Sequence, residues 1–294
     1  MALHIHEVFA LAAMAGADEL PNFPDPFPGQ LAAEVREALV QAREALADRG
    51  VIRPQGDGTY VPDPAAAPLL AACLLPEVAV TATFTGPGEP PALRRFQIAG
   101  ETALEVRVRW PEDPTCELVP LAGADAVVRE LAAFFRLSGE SAEPPAPSGP
   151  VPDGSERVPA PRLEEARDLA QAAGSDAARN LLEGAGVSTG VAGALAAALA
   201  RPEGNGALVG FYRGEAGWTV RGFGFLAGAG GHWLLRPFAR AGTEWVEVLP
   251  ATPAQVVAAV TELVTSAVAE GDMALAGQGP GTGIPVGPWN GGAP

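Results

Sequence analysis

The stretch Cys116–Phe135, CELVPLAGADAVVRELAAFF, decides the reading of this chain, because it returns in altered form as Val246–Val264, VEVLPATPAQVVAAVTELV. Glu117 aligns with Glu247, Pro120 with Pro250, Ala124 with Ala254 and Val127 with Val257, all at a separation of 130. Each copy opens as a strand-like run and closes as an amphipathic helix. In the second copy Thr252 is placed as N-cap, Pro253 as first helical residue and Gln255 as capping-box partner, and Val256, Val257, Val260, Leu263 and Val264 form a buried stripe. Upstream, Ala99-Gly100 matches Ala227-Gly228 at 128 and Pro76 matches Pro202 at 126, a drift that loops of unequal length produce.

The same series extends outward from both copies. A helix rich in Ala and Leu (Leu69–Leu75, or Val191–Leu199) passes through a Pro into an apolar strand (Val78–Phe84, or Ala207–Tyr212). Hairpins follow. Leu104, Val106, Val108 and Trp110 alternate with Glu105, Arg107 and Arg109, which predicts one face on a core and one in water. In the second half Trp218–Phe225 and His232–Arg236 take the same places. A further helix precedes each series: Gln30–Arg49, with Leu31, Val35, Leu39, Ala42 and Leu46 on one face and Gly50 as its stop, and in the second half Pro161–Gly174 and Ser175–Gly184. The fold class expected is therefore α+β, two pseudo-symmetric α/β halves whose antiparallel sheets are joined or packed into one body flanked by helices. The domain expectation is an N-terminal half over residues 1–142, a Pro-rich linker over 143–161, a C-terminal half over 162–270 and a mobile Gly/Pro-rich tail over 271–294, with Trp289 as a conceivable docking motif within it.

Composition narrows the chemistry. The chain has 294 residues and a formal charge of −16, which opposes binding to nucleic-acid phosphates or an anionic membrane. All 19 basic residues are Arg, so neither a Schiff-base lysine nor a Walker lysine exists. The start carries no basic residue before Arg36, unlike a secretory leader, and no run is apolar enough to span a bilayer, so a cytoplasmic setting is expected. His4 and His6 would share one side of a strand as half of a metal site that has no second half, and His232 sits in a hairpin beside Trp233. Cys73 and Cys116 read as buried, inert thiols. The string Gly184–Gly190, GAGVSTG, has the wrong glycine spacing for a dinucleotide loop and reads as a helix stop followed by Ser188 as the next N-cap. No cofactor, metal site or catalytic residue is expected.

Gln30–Val61 also has the outline of a winged-helix reading head, but Arg36, Arg43, Arg49 and Arg53 are offset by Glu34, Glu37, Glu44, Asp48 and Asp57. A winged-helix DNA-binding regulator and a hydrolase or transferase with a site between the halves stand as the alternative functions.

In layout the chain resembles the EspG-type proteins of actinobacterial type VII (ESX) secretion systems, over roughly Leu31–Glu270. The similar segments are ALADRGVI before a short hairpin, DPAAAPLLAACLLPEVAVTATF, CELVPLAGADAVVRELAAFF, PRLEEARDLAQAAG after the Pro-rich linker, and WVEVLPATPAQVVAAVTELV. The resemblance implies a mixed fold of two pseudo-symmetric halves and a non-enzymatic, cytosolic chaperone. Its implied partner is a secreted helical protein or protein pair, held by apolar contact, with no nucleic acid or membrane involved and a homodimer left open. Carried onto this sequence, it points to the hairpin loop Thr85–Leu93, with Thr85, Pro87 and Leu93, and to the aromatic strands bearing Trp218, Phe225 and Trp233.

Overall fold

The computed structural model describes residues 1–17, 19–21, 23–56, 59–109, 111–137, 155–215, 217–229, 231–240 and 242–266. Among them the chain order is β1 (Ala2–His4), α1 (Ile5–Ala15), α2 (Ala32–Asp48), β2 (Ile52–Pro54), β3 (Tyr60–Pro62), α3 (Ala67–Leu74), β4 (Val78–Thr85), β5 (Ala92–Ala99), β6 (Thr102–Arg109), β7 (Asp113–Leu121) and α4 (Gly123–Phe134). Then come β8 (Glu156–Pro159), α5 (Ala160–Ala173), α6 (Ser175–Gly184), α7 (Thr189–Ala200), β9 (Pro202–Gly214), β10 (Gly217–Gly228), β11 (Gly231–Arg240), β12 (Thr243–Ala251) and α8 (Pro253–Thr265). A helix, four strands and a helix thus follow one another twice, as α3, β4–β7, α4 and as α7, β9–β12, α8. The strands hydrogen-bond into one ten-stranded sheet, β1-β7-β6-β5-β4-β9-β10-β11-β12-β8, and β2 and β3 make a separate hairpin. The α+β class is as the sequence implies.

The chain divides into two compact units that are not consecutive stretches of sequence. The first takes residues 1–81, 94–127 and 211–215; the second takes the described residues within 82–93, 128–210 and 216–294. The first unit's core is built by α1, α2 and α3 on the sheet, with Leu3, Val8, Leu11, Leu46, Leu70, Cys73, Leu104, Val106, Cys116 and Leu118 buried together. A carboxylate clamp closes its edge: Arg49 Nη1 donates to Glu7 Oε2 at 2.7 Å, and Glu7 Oε2 also accepts the His4 backbone N–H at 2.7 Å. The second unit packs α5, α6 and α7 over β10, β11, β12 and β8 through Leu163, Leu182, Leu195, Leu199, Leu226, Trp233, Leu235 and Val248.

Local chemistry sets most element ends as anticipated. Thr252 accepts from the Gln255 N–H at 3.2 Å while Gln255 Oε1 accepts the Thr252 N–H at 2.7 Å, closing the capping box of α8. Val256, Val260, Leu263 and Val264 are buried beneath it with Ala259 in the interval, and Val257 is only half-buried. Ser188 is the N-cap of α7, and α6 stops at Gly184.

Four expectations need correction. His4 and His6 do not share a strand, because His4 ends β1 and caps α1 while His6 lies in the helix, their rings 4.7 Å apart edge to face. Within the expected linker, residues 156–159 form β8, paired antiparallel to β12 with Val158 opposite Val246; Val158 is buried, so this part of the linker joins the core. Glu105, placed by alternation in water, is buried, because Arg94 Nε donates to its Oε1 at 2.7 Å and Arg107 Nη2 to its Oε2 at 2.8 Å. The stripe of α2 is buried only at Ala42 and Leu46. Trp110, Trp289 and the tail 271–294 lie outside the described residues.

Candidate functional site

The hairpin loop that the sequence singled out is shaped by its own composition. Gly86, Pro87, Gly88 and Glu89 make a tight turn in which the Glu89 N–H donates to Gly86 O at 3.1 Å. Pro87 stands second and Gly88, at φ +70°, third, the residues that a type II turn asks for. Pro90 and Pro91 then fix two more φ angles. Thr85, the last residue of β4, is half-buried, whereas Pro87 and Leu93 are exposed, Leu93 to 47%. The loop thus presents an apolar rim of Pro and Leu on a backbone with few conformations to lose, which lowers the ordering cost of any contact it makes.

A latch ties this loop to the end of α4. Arg136 Nη2 donates to Glu89 Oε1 at 2.6 Å, and the guanidinium lies 5.4 Å over the Phe84 ring. Hydrogen bonding from Arg136 holds the Glu89 carboxyl below its usual range and raises the arginine in turn. Gly86 makes room for the pair, since a Cβ there would stand 2.6 Å from Glu89 Oε2. Arg136 has φ +59°, among the described residues the sole non-glycine at positive φ. It occupies the left-handed C′ position of a Schellman ending, where its N–H donates to Ala133 O at 3.0 Å and the Leu137 N–H to Ala132 O at 2.8 Å. Glycine is the usual residue there, so the helix end bears a conformational cost in the residue that carries the latch.

Beneath the loop runs a string of rings. Phe84 meets Phe134 at 5.9 Å and Phe135 at 6.0 Å, and Phe135 meets Phe225 at 6.0 Å. Phe225 stacks on His232 at 5.9 Å, and burial holds that imidazole below its ordinary pKa against a nearby Glu203. Gly204 and Gly206 of β9 are required by these rings: a Cβ on Gly204 would lie 2.8 Å from Phe84, and one on Gly206 2.4 Å from Thr83 O and 3.0 Å from Phe135.

The remaining sequence-derived residues separate. Phe225 is buried in this aromatic string and Trp233 is buried against α5–α7, so neither offers side-chain surface to a partner; inward-facing strand aromatics fill a core. Trp218, near the start of β10, is half-buried and keeps an accessible face. The structure therefore brings Thr85, Pro87 and Leu93 together on one loop and withdraws Phe225 and Trp233 into the interior. Glu89, Arg136 and Phe134 were missed. A GPGEPP turn followed, 47 residues on, by an Arg just past a helix gives no local sign that the two meet.

Neither cysteine belongs to the loop. Cys73 and Cys116 are buried, and burial pushes Cys116 up to about 12 and Cys73 higher than its usual value too. Among the described residues no cluster of three His, Cys, Asp or Glu is placed to hold a metal. Arg49 and Arg53 of the winged-helix outline are taken up by Glu7 and Asp63.

The family model for EspG proteins matches residues 4–262. This chain belongs to the EspG family. No curated protein is similar enough to this EspG-family chain to count as a match. Among solved structures it is similar to the Mycobacterium tuberculosis type VII secretion system chaperone EspG5, determined in complex with a PE25–PPE41 dimer. That likeness has a TM-score of 0.52 at 16% identity and covers 90% of this chain and 95% of the other, so it establishes a shared fold. Among the described residues of the EspG-family chain no helix is long and apolar enough to cross a membrane.

Proposed function

We propose that this chain is a type VII secretion chaperone that holds a secreted partner of the PE–PPE kind before export, by apolar contact and without catalysis. The observation that carries the reading is the family match over nearly the whole chain; the PE25–PPE41 dimer held by EspG5 supplies the class of partner. The contact is made by the stiffened loop, with Thr85 at its base and Pro87 and Leu93 on its rim, and by the open face of Trp218. Such a loop suits a chaperone. It meets its client with little entropy to lose, and its apolar rim covers apolar client surface without a specific chemical step.

Co-expression with PE–PPE pairs, followed by size-exclusion chromatography, tests it. At least one pair is expected to elute with the chain, and Leu93→Glu to separate them while leaving the chain's own elution unchanged. Failure of every pair to elute with the chain would overturn the reading.

A further inference from the structure

The face of α2 that periodicity assigns to a core is only half used. Ala42 and Leu46 are buried, but Leu31 is exposed to 70% and Val40 to 37%, and across from them on α1 Met14 is exposed to 37%. These are three of the five large apolar side chains that stand out into solvent among the described residues. Met14 and Val40, with Ala10, Ala13, Val35 and Leu39, line a shallow groove of about 430 Å3 between the two helices.

Two cations complete the lining, Arg36 and Arg43. They stand seven residues apart on one helix face, two turns or about 10 Å along its axis. Other arginines of the same unit are neutralised: Arg49 by Glu7, Arg53 by Asp63, Arg94 and Arg107 by Glu105. Arg36 and Arg43 have no ion pair or hydrogen bond among the described residues. Arg43 lies 5.2 Å over the Tyr60 ring with its Nε buried and without an acceptor. Buried donors ordinarily find partners, so this one marks a position where an acceptor is missing. In a chain of net charge −16, an apolar groove with unneutralised guanidinium groups opposes the prevailing field. No acidic side chain lines the groove, since Glu34, Glu37, Glu44 and Asp48 of α2 lie outside its lining, so its walls locally favour a carboxylate; a second copy brings sixteen excess negative charges over its whole body to any self-contact.

We propose that the α1–α2 groove is a separate docking site for an acidic amphipathic helix of a partner protein. The helix lays its apolar stripe between α1 and α2 and sets two carboxylates, two turns apart, against Arg36 and Arg43. No residue of the loop 85–93 lines this groove, and the inference does not rest on the chaperone reading.

The test uses the full chain and a fluorescein-labelled designed helical peptide with a Leu stripe flanked by two Glu seven positions apart, read by fluorescence anisotropy. Saturable binding is expected, weakened about ten-fold or more when the peptide's Glu are made Lys or when the chain carries Arg36→Glu with Arg43→Glu, since like charges then face each other. The Lys peptide is expected to regain affinity for that charge-reversed chain, an outcome that misfolding cannot imitate. Val40→Asp, checked for unchanged circular dichroism, is expected to weaken binding comparably. No binding of the Glu peptide, or equal binding of the Glu and Lys peptides, would overturn the proposal. So would binding that emerges only after Glu270→Lys and Asp272→Lys, which would make the chain's own segment the occupant, or a peptide-sensitive dimer in sedimentation, which would make it a second copy.

Discussion

Trp233 shows how a residue can carry the right signal for the wrong reason. An aromatic on a strand reads equally as interface or core, and the deciding fact is which side of β11 faces α7, which lies in the register and not in the residue. Its indole Nε1 has no acceptor among the described residues, an unmet donor that burial makes costly. Trp233→Ala is therefore expected to cost about 3–5 kcal/mol in urea unfolding, as large-to-small core changes do, and Trp233→Phe clearly less, because it removes the orphaned N–H and keeps most of the ring. An unchanged stability for Trp233→Ala would return this residue to the surface.

Glu105 is the second such case. Alternation along β6 put it in water, and only Arg94 across on β5 and Arg107 two residues on along β6 make its burial tolerable. Burial alone would raise its carboxyl, and the hydrogen bonds from Arg94 and Arg107 outweigh that, leaving it below the usual range. A carboxyl depressed on folding contributes stability above its unfolded pKa of about 4.3 and loses that contribution as pH falls through the lower folded value. Glu105→Gln should thus lower stability by about 1.5–3 kcal/mol at pH 7, the range for hydrogen bonds to charged groups. The gap from the parent chain should shrink as the pH drops below 4, as measured by urea midpoints across pH.

At the scale of elements, what could be read locally was read well. The Thr252-Pro253-Ala254-Gln255 signature places the start of α8 because both halves of the capping box lie within four residues. Thr252→Ala should remove about 1 kcal/mol in urea unfolding. Ser188 before α7 and a stop of α6 at Gly184 or Gly186 are legible from residue type alone, and the structure has Ser188 as N-cap, without a side-chain capping bond, and α6 ending at Gly184. The latch was not, because Glu89 and Arg136 are far apart in sequence and meet only once β4 and α4 are in place. Nor was the demand for Gly204 and Gly206, which comes from the Phe84 ring and from Thr83 O and the Phe135 ring, all on other elements. Arg136→Ala is expected to speed amide exchange at Gly86–Glu89 while hardly moving the unfolding midpoint, since both latch side chains are about half exposed and such pairs contribute little to global stability. Because the Glu89 carboxyl is depressed, the latch should hold at neutral pH and release only below the usual carboxylate range.

For the whole molecule, the order of elements was the most legible property and the grouping of them the least. A helix, a strand, hairpins and a closing helix, with three or four strands per half, are expected twice from the periodicity, and the observed order is α3, β4–β7, α4 followed later by α7, β9–β12, α8. A cut near the midpoint, the natural inference from that series, is not how the chain groups. Residues 82–93 fall in the second compact unit although their neighbours 78–81 and 94–99 belong to the first. Hydrophobic pattern reports which face of an element is covered, and is silent on which other element covers it. The half-covered α2 makes the same point in reverse: Ala42 and Leu46 of its stripe are buried in the core, whereas Leu31 at its start stays exposed.

The central claim is that the loop from Gly86 to Leu93 meets the secreted partner. Hydrogen–deuterium exchange on the chain alone and in complex with a PE–PPE pair tests it most directly, reading the amides of Gly86, Gly88, Glu89, Ala92 and Leu93, which the intervening prolines leave as the reporters. These amides are expected to exchange more slowly in the complex. Unchanged exchange there, with slowing elsewhere on the chain, would contradict the claim.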